Sequence, residues 1–156
     1  MAKIDVSRRL LLAACAGAPA AAMAIPAIAG ATAVSGLTPE SEAIVRANYA
    51  AWVNKDWNAL DHLLADSFTF SSAAPDDHIS KAMFKKQCWD TQNKLIGRFD
   101  LVRASGTADD AFVMYVCTTT KGTTFSNVEY FRLAGGKILS IECYFGGPGY
   151  ATAADH

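Results

Sequence analysis

The chain has 156 residues, of which 51% are hydrophobic, 19% charged and 10% aromatic. These proportions exclude a disordered chain, a collagen-like repeat and a coiled coil. The net charge of −1 gives no electrostatic basis for binding nucleic acid or an anionic membrane surface. Four cysteines are too few for a disulfide scaffold. We therefore expect one globular domain.

The first 33 residues have the composition of an export signal. Residues 11–33 contain 12 alanines and no charge, and every aromatic residue lies at Tyr49 or beyond. Residues 7–12, SRRLLL, resemble the twin-arginine export motif, and Ala31-Thr32-Ala33 is a small-residue cleavage site. We predict that residues 1–33 are a twin-arginine-type signal peptide. The mature protein is then periplasmic or secreted and has no membrane association.

Three alternatives remain open at this end of the chain, the first being that the apolar stretch is an uncleaved membrane anchor. Ala27-Ile28-Ala29 is a second cleavage site, and Cys15 lies in a lipoprotein-like box whose apolar segment is short. Removal of residues 1–33 leaves a net charge of about −3 and three cysteines, Cys88, Cys117 and Cys143. An odd number of cysteines in an oxidising compartment argues against a complete disulfide framework.

The mature domain is predicted over residues 38–147, with a flexible tail at 148–156. Three helices are predicted, each after a residue that can cap it: Thr38 before residues 39–54, Asp56 before 57–65 and Ser80 before 81–93. Strands are predicted at residues 68–70, 98–105, 111–120, 123–133 and 137–145. Lys121-Gly122 is predicted as the hairpin turn between two of them.

Helices followed by a meander of long strands are typical of an α+β domain. We predict a cone-shaped roll, in which three N-terminal helices pack in a strongly curved antiparallel sheet. A sheet bent in this way leaves a hollow that could hold a small apolar or aromatic molecule.

Glu129 is the sharpest candidate for chemistry. Strand alternation places Asn127, Glu129 and Phe131 on one face, which the phenylalanine marks as apolar. A carboxylate on that face is costly unless it is paired, neutralised or wetted by a cavity, and burial raises its pKa toward neutrality. Glu129 would then be a general acid or base. The alternative is that Glu129 faces solvent and Tyr130 faces the core.

Other polar residues accompany Glu129 as candidates. Asn48 shares a helical face with Trp52, and Tyr49 is a second donor on the same helix. His78, in the polar loop of residues 71–78, is a candidate base, although a loop histidine is more often simply solvated. No metal-ligand spacing and no cofactor motif is present, so we expect neither metal nor cofactor.

On the strand of residues 111–120, parity is expected to place Met114 inward and Cys117 outward. The outer face, with Tyr115, Cys117 and Tyr130, is then a candidate homodimer surface. Cys143 faces the hollow, so the two cysteines are expected on opposite faces without a disulfide. The predicted ligand-binding lining comprises Trp52, Phe70, Ser72, Trp89, Met114, Asn127, Phe131, Cys143 and Phe145.

Several segments resemble one known superfamily in order and spacing: IVRANYAAW at 44–52, NKDW at 54–57, LAD at 64–66, VEYFRL at 128–133, GKI at 136–138 and YFG at 144–146. They are similar to the nuclear-transport-factor-2-like superfamily, in its SnoaL-like and ketosteroid-isomerase-like branch. The resemblance covers about residues 39–147. It implies three polar positions in the cone, which fall on Asn48, Ser72 and Glu129. Serine stands where the isomerases of this branch have a basic aspartate.

The resemblance implies a class of function, because this scaffold serves isomerases, dehydratases, hydrolases and binding proteins. We expect an exported domain that binds a small apolar or aromatic molecule and performs cofactor-free acid–base chemistry. The alternative is a non-catalytic ligand-binding or dimerisation module.

Overall fold

The computed structural model describes residues 36–72 and 76–146. The predicted signal at residues 1–33, with its twin arginines and cleavage sites, lies outside the described residues, as does the predicted tail at 148–156. Within the described ranges, no helix has the length and apolar character needed to cross a bilayer.

Three helical segments form as their capping residues predict. Helix α1 is Pro39–Asn54, with the Thr38 side chain accepting the backbone N–H of Ser41. Helix α2 is Trp57–Leu63, capped in the same way by Asp56. The third segment, α3, spans residues 81–92 after its cap Ser80 and has three consecutive parts, namely an α-helical turn at Lys81–Phe84, a π-helical turn at Lys85–Trp89 and an α-helical turn at Asp90–Gln92.

The π-helical turn changes the inner face of α3. Cys88 and Trp89 are neighbours in sequence, yet both are buried. Because a π-helical turn is wider than an α-helical one, adjacent side chains are separated by less than the about 100° of a regular α-helix. Such turns occur frequently at functional sites.

Six strands form one sheet: β1 (Leu64–Ser71), β2 (Ile79–Ser80), β3 (Ile96–Gly106), β4 (Asp110–Thr119), β5 (Thr124–Ala134) and β6 (Lys137–Phe145). Their order is β2-β1-β6-β5-β4-β3. β3 to β6 form the antiparallel meander that the sequence predicts. The sheet is curved and unclosed, and the helices pack against it, so the predicted α+β cone is confirmed.

Two predictions at the start of the sheet are wrong. The second helix ends at Leu63, and strand β1 begins at Leu64 where helix was expected. β1 also lies parallel to β6, with Phe70 opposite Ile141, so the sheet is mixed. This pairing joins segments about 70 residues apart and has no local sequence signal.

The predicted inner face of β4 is also wrong. Met114 is 38% exposed and Phe112 is 49% exposed, whereas Tyr115 and Cys117 are buried. The prediction assumed a two-residue turn at Lys121-Gly122. The backbone closes instead between Thr119 and Thr123 around a loop of three residues, and this shifts the register by one. A shift of one residue moves every side chain of a strand to the other face.

Candidate functional site

A cavity of about 60 Å³ lies between the helices and the concave face of the sheet. One water molecule needs roughly 10–15 Å³, so the cavity has room for about four to six water-sized groups. Its walls are mainly aromatic and aliphatic, and the described residues that line it are Asn48, Tyr49, Trp52, Phe70, Ser72, Asp76, Phe84, Cys88, Gln92, Ile96, Phe99, Tyr115, Glu129, Ile141, Cys143 and Phe145.

Glu129 is held in this cavity by two tyrosines. The Tyr49 hydroxyl, from α1, donates to Glu129 Oε2 at 2.7 Å. The Tyr115 hydroxyl, from β4, donates to Glu129 Oε1 at 3.1 Å. Both tyrosines are 1% exposed, so their packing fixes the orientation of the carboxyl group. Each carboxyl oxygen therefore has one tyrosine donor, and the group lines the cavity.

A second layer of polar atoms supports this pair. Asn127, which lies opposite Tyr115 in the β4–β5 register, donates through Nδ2 to the Tyr115 hydroxyl at 3.1 Å. The same Nδ2 lies 3.6 Å from Cys143 Sγ. The Cys143 thiol also donates a hydrogen bond to the Glu129 carboxyl group. The polar network therefore spans three neighbouring strands and the first helix.

The electrostatics of Glu129 combine two opposing effects. Burial raises the pKa of this carboxyl above its ordinary value of 4.5, because the charged form loses hydration. Hydrogen bonds from Tyr49, Tyr115 and Cys143 act in the other direction by stabilising the carboxylate. Desolvation is the larger effect, so the pKa is raised. A carboxyl group tuned in this direction can hold or give up a proton closer to neutral pH.

A second carboxyl group reaches the cavity from the loop after β1. Asp76 lines the cavity next to Ser72, whose backbone N–H donates to the Asp76 carbonyl oxygen at 2.8 Å. The Ser72 hydroxyl lies 3.4 Å from Asp76 Oδ2. The resemblance places the basic aspartate of the isomerases at Ser72, and here a carboxyl group lies beside that serine. From the sequence, Asp76 was predicted only as part of the polar loop of residues 71–78.

The structure brings eight of the predicted site residues to the cavity wall. These are Asn48, Tyr49, Trp52, Phe70, Ser72, Glu129, Cys143 and Phe145. Asn48 is 1% exposed, and among the described residues its Oδ1 has no hydrogen-bond partner.

Five other predicted residues lie elsewhere. Trp89 packs its ring 4.6 Å from that of Trp52, and Phe131 is fully buried against Tyr49. Asn127 donates a hydrogen bond to the Tyr115 hydroxyl and does not line the cavity. His78 is exposed beside Asp77 in the turn before β2, where solvent surrounds it. Met114 lies on the outer face of the sheet.

Tyr115, like Asp76, is a candidate site residue that the sequence prediction missed. Its strand was predicted with Phe112 and Met114 on the inner face, and that parity puts Tyr115 on the outer face. Given a loop of three residues, Val113 lies opposite Glu129, and an inward Glu129 requires an inward Tyr115. The correct hairpin register was therefore the available signal. The proposed dimer surface loses Tyr115 and Cys117 as a consequence.

The three cysteines of the described chain are buried and free. Cys117 and Cys143 both face inward, so the parity argument against a disulfide between them was wrong, although no disulfide joins them. Burial raises the pKa of Cys88 and Cys117 to about 12 and that of Cys143 further, so these thiols stay protonated. Over residues 36–72 and 76–146, no three His, Cys, Asp or Glu side chains group as a metal site.

Residues 45–141 match the family model of the SnoaL-like domain, and this is more than half of the chain. The chain belongs to the SnoaL-like family. A sequence comparison with curated proteins finds no match.

Solved structures show that this SnoaL-like domain has the nuclear-transport-factor-2-like fold. It is similar to a protein of ketosteroid isomerase-like fold from Catenulispora acidiphila DSM 44928, in complex with trimethylamine (22% identity, TM-score 0.57, 70% of this chain and 87% of that one). It is also similar to an LEH-like epoxide hydrolase of M. tuberculosis (18%, TM-score 0.58, 70% and 84%).

A third similar structure is a de novo designed protein with a curved β-sheet (10% identity, TM-score 0.62, 74% of this chain and 93% of that one). A designed protein thus reaches the same architecture. At these identities the likeness establishes the fold, and function must be argued from the site.

Proposed function

We propose that this SnoaL-like protein binds a small, largely apolar molecule in its cavity and performs cofactor-free acid–base chemistry through Glu129. The observation that carries the proposal is the carboxyl group of Glu129, held by Tyr49 and Tyr115 in an aromatic cavity. Such a group is oriented before the ligand arrives, so little reorganisation is needed during proton transfer.

Asp76 gives this chemistry a second participant. One carboxyl group can accept a proton while another gives one up, provided that their surroundings differ. Glu129 is set among aromatic rings and has a raised pKa, whereas Asp76 belongs to the loop after β1. We assign the proton-donating role to Glu129 and the accepting role to Asp76.

The reaction types that fit are isomerisation, dehydration and hydrolysis. The similar epoxide hydrolase of M. tuberculosis supports hydrolysis on this fold, and the similar protein solved with trimethylamine supports a small ligand. The competing candidate is a binding module without turnover. The hydrogen-bonded network around Glu129 would then hold a bound ligand and transfer no proton.

Reaction in D₂O distinguishes the two candidates. A panel of small carbonyl compounds and epoxides is incubated with the protein, and NMR follows exchange of carbon-bound hydrogen and ring opening. We expect turnover by the wild type and a loss of at least about 100-fold in Glu129→Gln, the usual scale of a general acid or base. If a compound binds but reacts no faster with the wild type or with Glu129→Gln than it does without protein, the binding module is supported instead.

The outer face of the sheet supports a proposed homodimer with a corrected set of residues. Phe112 and Met114 are exposed there, and the Phe112 ring stacks on Tyr130 at 4.5 Å. Met114→Glu places a charge in this apolar patch, and light scattering should then report a monomer. Met83→Glu, at a similarly exposed methionine of α3, is the control and should leave the dimer intact. A monomeric wild type overturns the proposal.

We also propose export by the twin-arginine route, which rests on the pair Arg8-Arg9 and on the alanine-rich apolar stretch of residues 11–33.

A further inference from the structure

The cavity holds two carboxyl groups without a positively charged partner in its described walls. Glu129 and Asp76 both line it, and none of the lining residues within the described ranges is Lys, Arg or His. Low-dielectric walls focus the field of such groups into the enclosed space. A cation entering the cavity favours the ionised form of these carboxyl groups and gains from the interaction, while an anion gains nothing from them.

Glu129 and Asn48 supply acceptor atoms at the cavity wall. The hydroxyls of Tyr49 and Tyr115 donate to Glu129, so these protons are directed at the carboxyl group. The carboxylate keeps further lone pairs, and the buried Oδ1 of Asn48 lacks a partner among the described residues. A buried acceptor without a partner costs free energy until a donor reaches it. A ligand with N–H groups supplies such donors.

The walls suit the apolar part of a cationic ligand. Seven of the lining residues are aromatic: Tyr49, Trp52, Phe70, Phe84, Phe99, Tyr115 and Phe145. Ring faces attract ammonium groups through their quadrupoles, and this attraction strengthens when water is excluded. The cavity volume of about 60 Å³ limits the ligand to a handful of non-hydrogen atoms.

We propose that the ligand of this cavity is a small organic ammonium ion, with its N–H groups on Glu129 and Asn48 and its alkyl groups among the aromatic rings. The inference rests on the proposed function, since it names the ligand class of the same site. A neutral apolar molecule fills the same space but leaves Asn48 unpaired.

Ammonium binding is expected to be coupled to pH. Glu129 is faced by Tyr49 from α1, Tyr115 from β4 and Cys143 from β6, and Asp76 shares the cavity. A cation beside Glu129 favours its ionised form, so binding releases a proton and affinity rises with pH.

The test compares two probes of nearly equal shape, tert-butylammonium chloride and tert-butanol, by isothermal titration calorimetry at pH 7. We expect the ammonium ion to bind the wild type about tenfold more tightly or better, because it adds charge-assisted hydrogen bonds. Glu129→Gln should bind the alcohol as before and lose the preference for the ammonium ion. The control Glu142→Gln removes a carboxylate from the outer face of β6 and should keep that preference.

A second measurement does not depend on any variant. Titration of the wild type in buffers of different ionisation enthalpy should show proton release with the ammonium ion and none with the alcohol. Equal affinity for the two probes, or tighter binding of the alcohol, overturns the ammonium assignment and leaves the proposed function standing. Failure of both probes also overturns it, and the D₂O experiment then decides the proposed function separately.

Discussion

Tyr49 and Glu129 lie 80 positions apart in the chain, and the Tyr49 hydroxyl donates to the Glu129 carboxyl at 2.7 Å. The contact joins the first helix to the fifth strand through the middle of the apolar core. Tyr49 packs its ring 4.9 Å from that of Phe99 and 5.3 Å from that of Tyr115. The packed aromatic rings therefore position the Tyr49 hydroxyl against the Glu129 carboxyl. A substitution at either residue should affect the other.

Glu129→Gln should alter the pH dependence of stability. Because burial raises the pKa of Glu129, the folded protein binds this proton more tightly than the unfolded chain does. The free energy of unfolding of the wild type therefore falls as pH rises from the ordinary value of 4.5 toward the folded pKa. The variant lacks this titration, so denaturation curves should show equal stability at low pH and a more stable variant above that window.

Glu142→Gln is the matched control, since its carboxyl lies on the other face of the sheet beside Tyr144. It should follow the wild-type pH dependence. Parallel curves for wild type and Glu129→Gln at every pH would contradict the raised pKa.

Tyr49→Phe and Tyr115→Phe should each push the pKa of Glu129 further upward, because each removes a hydrogen bond that stabilises the carboxylate. We expect each to cost about 1–3 kcal/mol of stability, since a buried acceptor loses its donor. A double-mutant cycle with Glu129→Gln should show coupling.

Tyr144→Phe removes a hydroxyl that bonds to Glu142 at the surface. It should change stability by no more than about 0.5 kcal/mol. If the two buried tyrosines behave like this surface control, the network around Glu129 has no energetic role.

The thiols of Cys88, Cys117 and Cys143 should resist alkylation in the folded protein. Burial shields them and raises their pKa values, which keeps the reactive thiolate scarce. Iodoacetamide at pH 8, followed by peptide mass spectrometry, should label the three only after denaturant is added. Rapid labelling of Cys88 or Cys143 in the native protein would mean that the cavity opens to solvent.

Replacing both Arg8 and Arg9 with lysine should keep the precursor in the cytoplasm, since the arginine pair is the signal that the twin-arginine route recognises. Cell fractionation and immunoblotting report the location, with a surface change such as Glu142→Gln as the control. Unimpaired export of the double lysine variant would contradict this route.

Much of the site followed from local sequence rules. The caps at Thr38 and Asp56 fixed the beginnings of two helices, because their side chains satisfy the first free backbone N–H groups. Alternation along β5 placed Glu129 on the inner face, since successive side chains of a strand point to opposite faces. Tyr49 was predicted as a hydrogen-bond donor from its place next to Asn48, but its partner Glu129 was not predicted.

Only the tertiary structure decided which donors meet that carboxyl group. The face of Tyr115 depends on a loop of three residues, whereas a loop of two is the commonest hairpin connection. Asp76 lines the cavity, and the parallel pairing of β1 with β6 joins distant segments. Sequence periodicity reports which face of its own element a residue occupies. Contacts between elements depend on register and packing, which are properties of the whole fold.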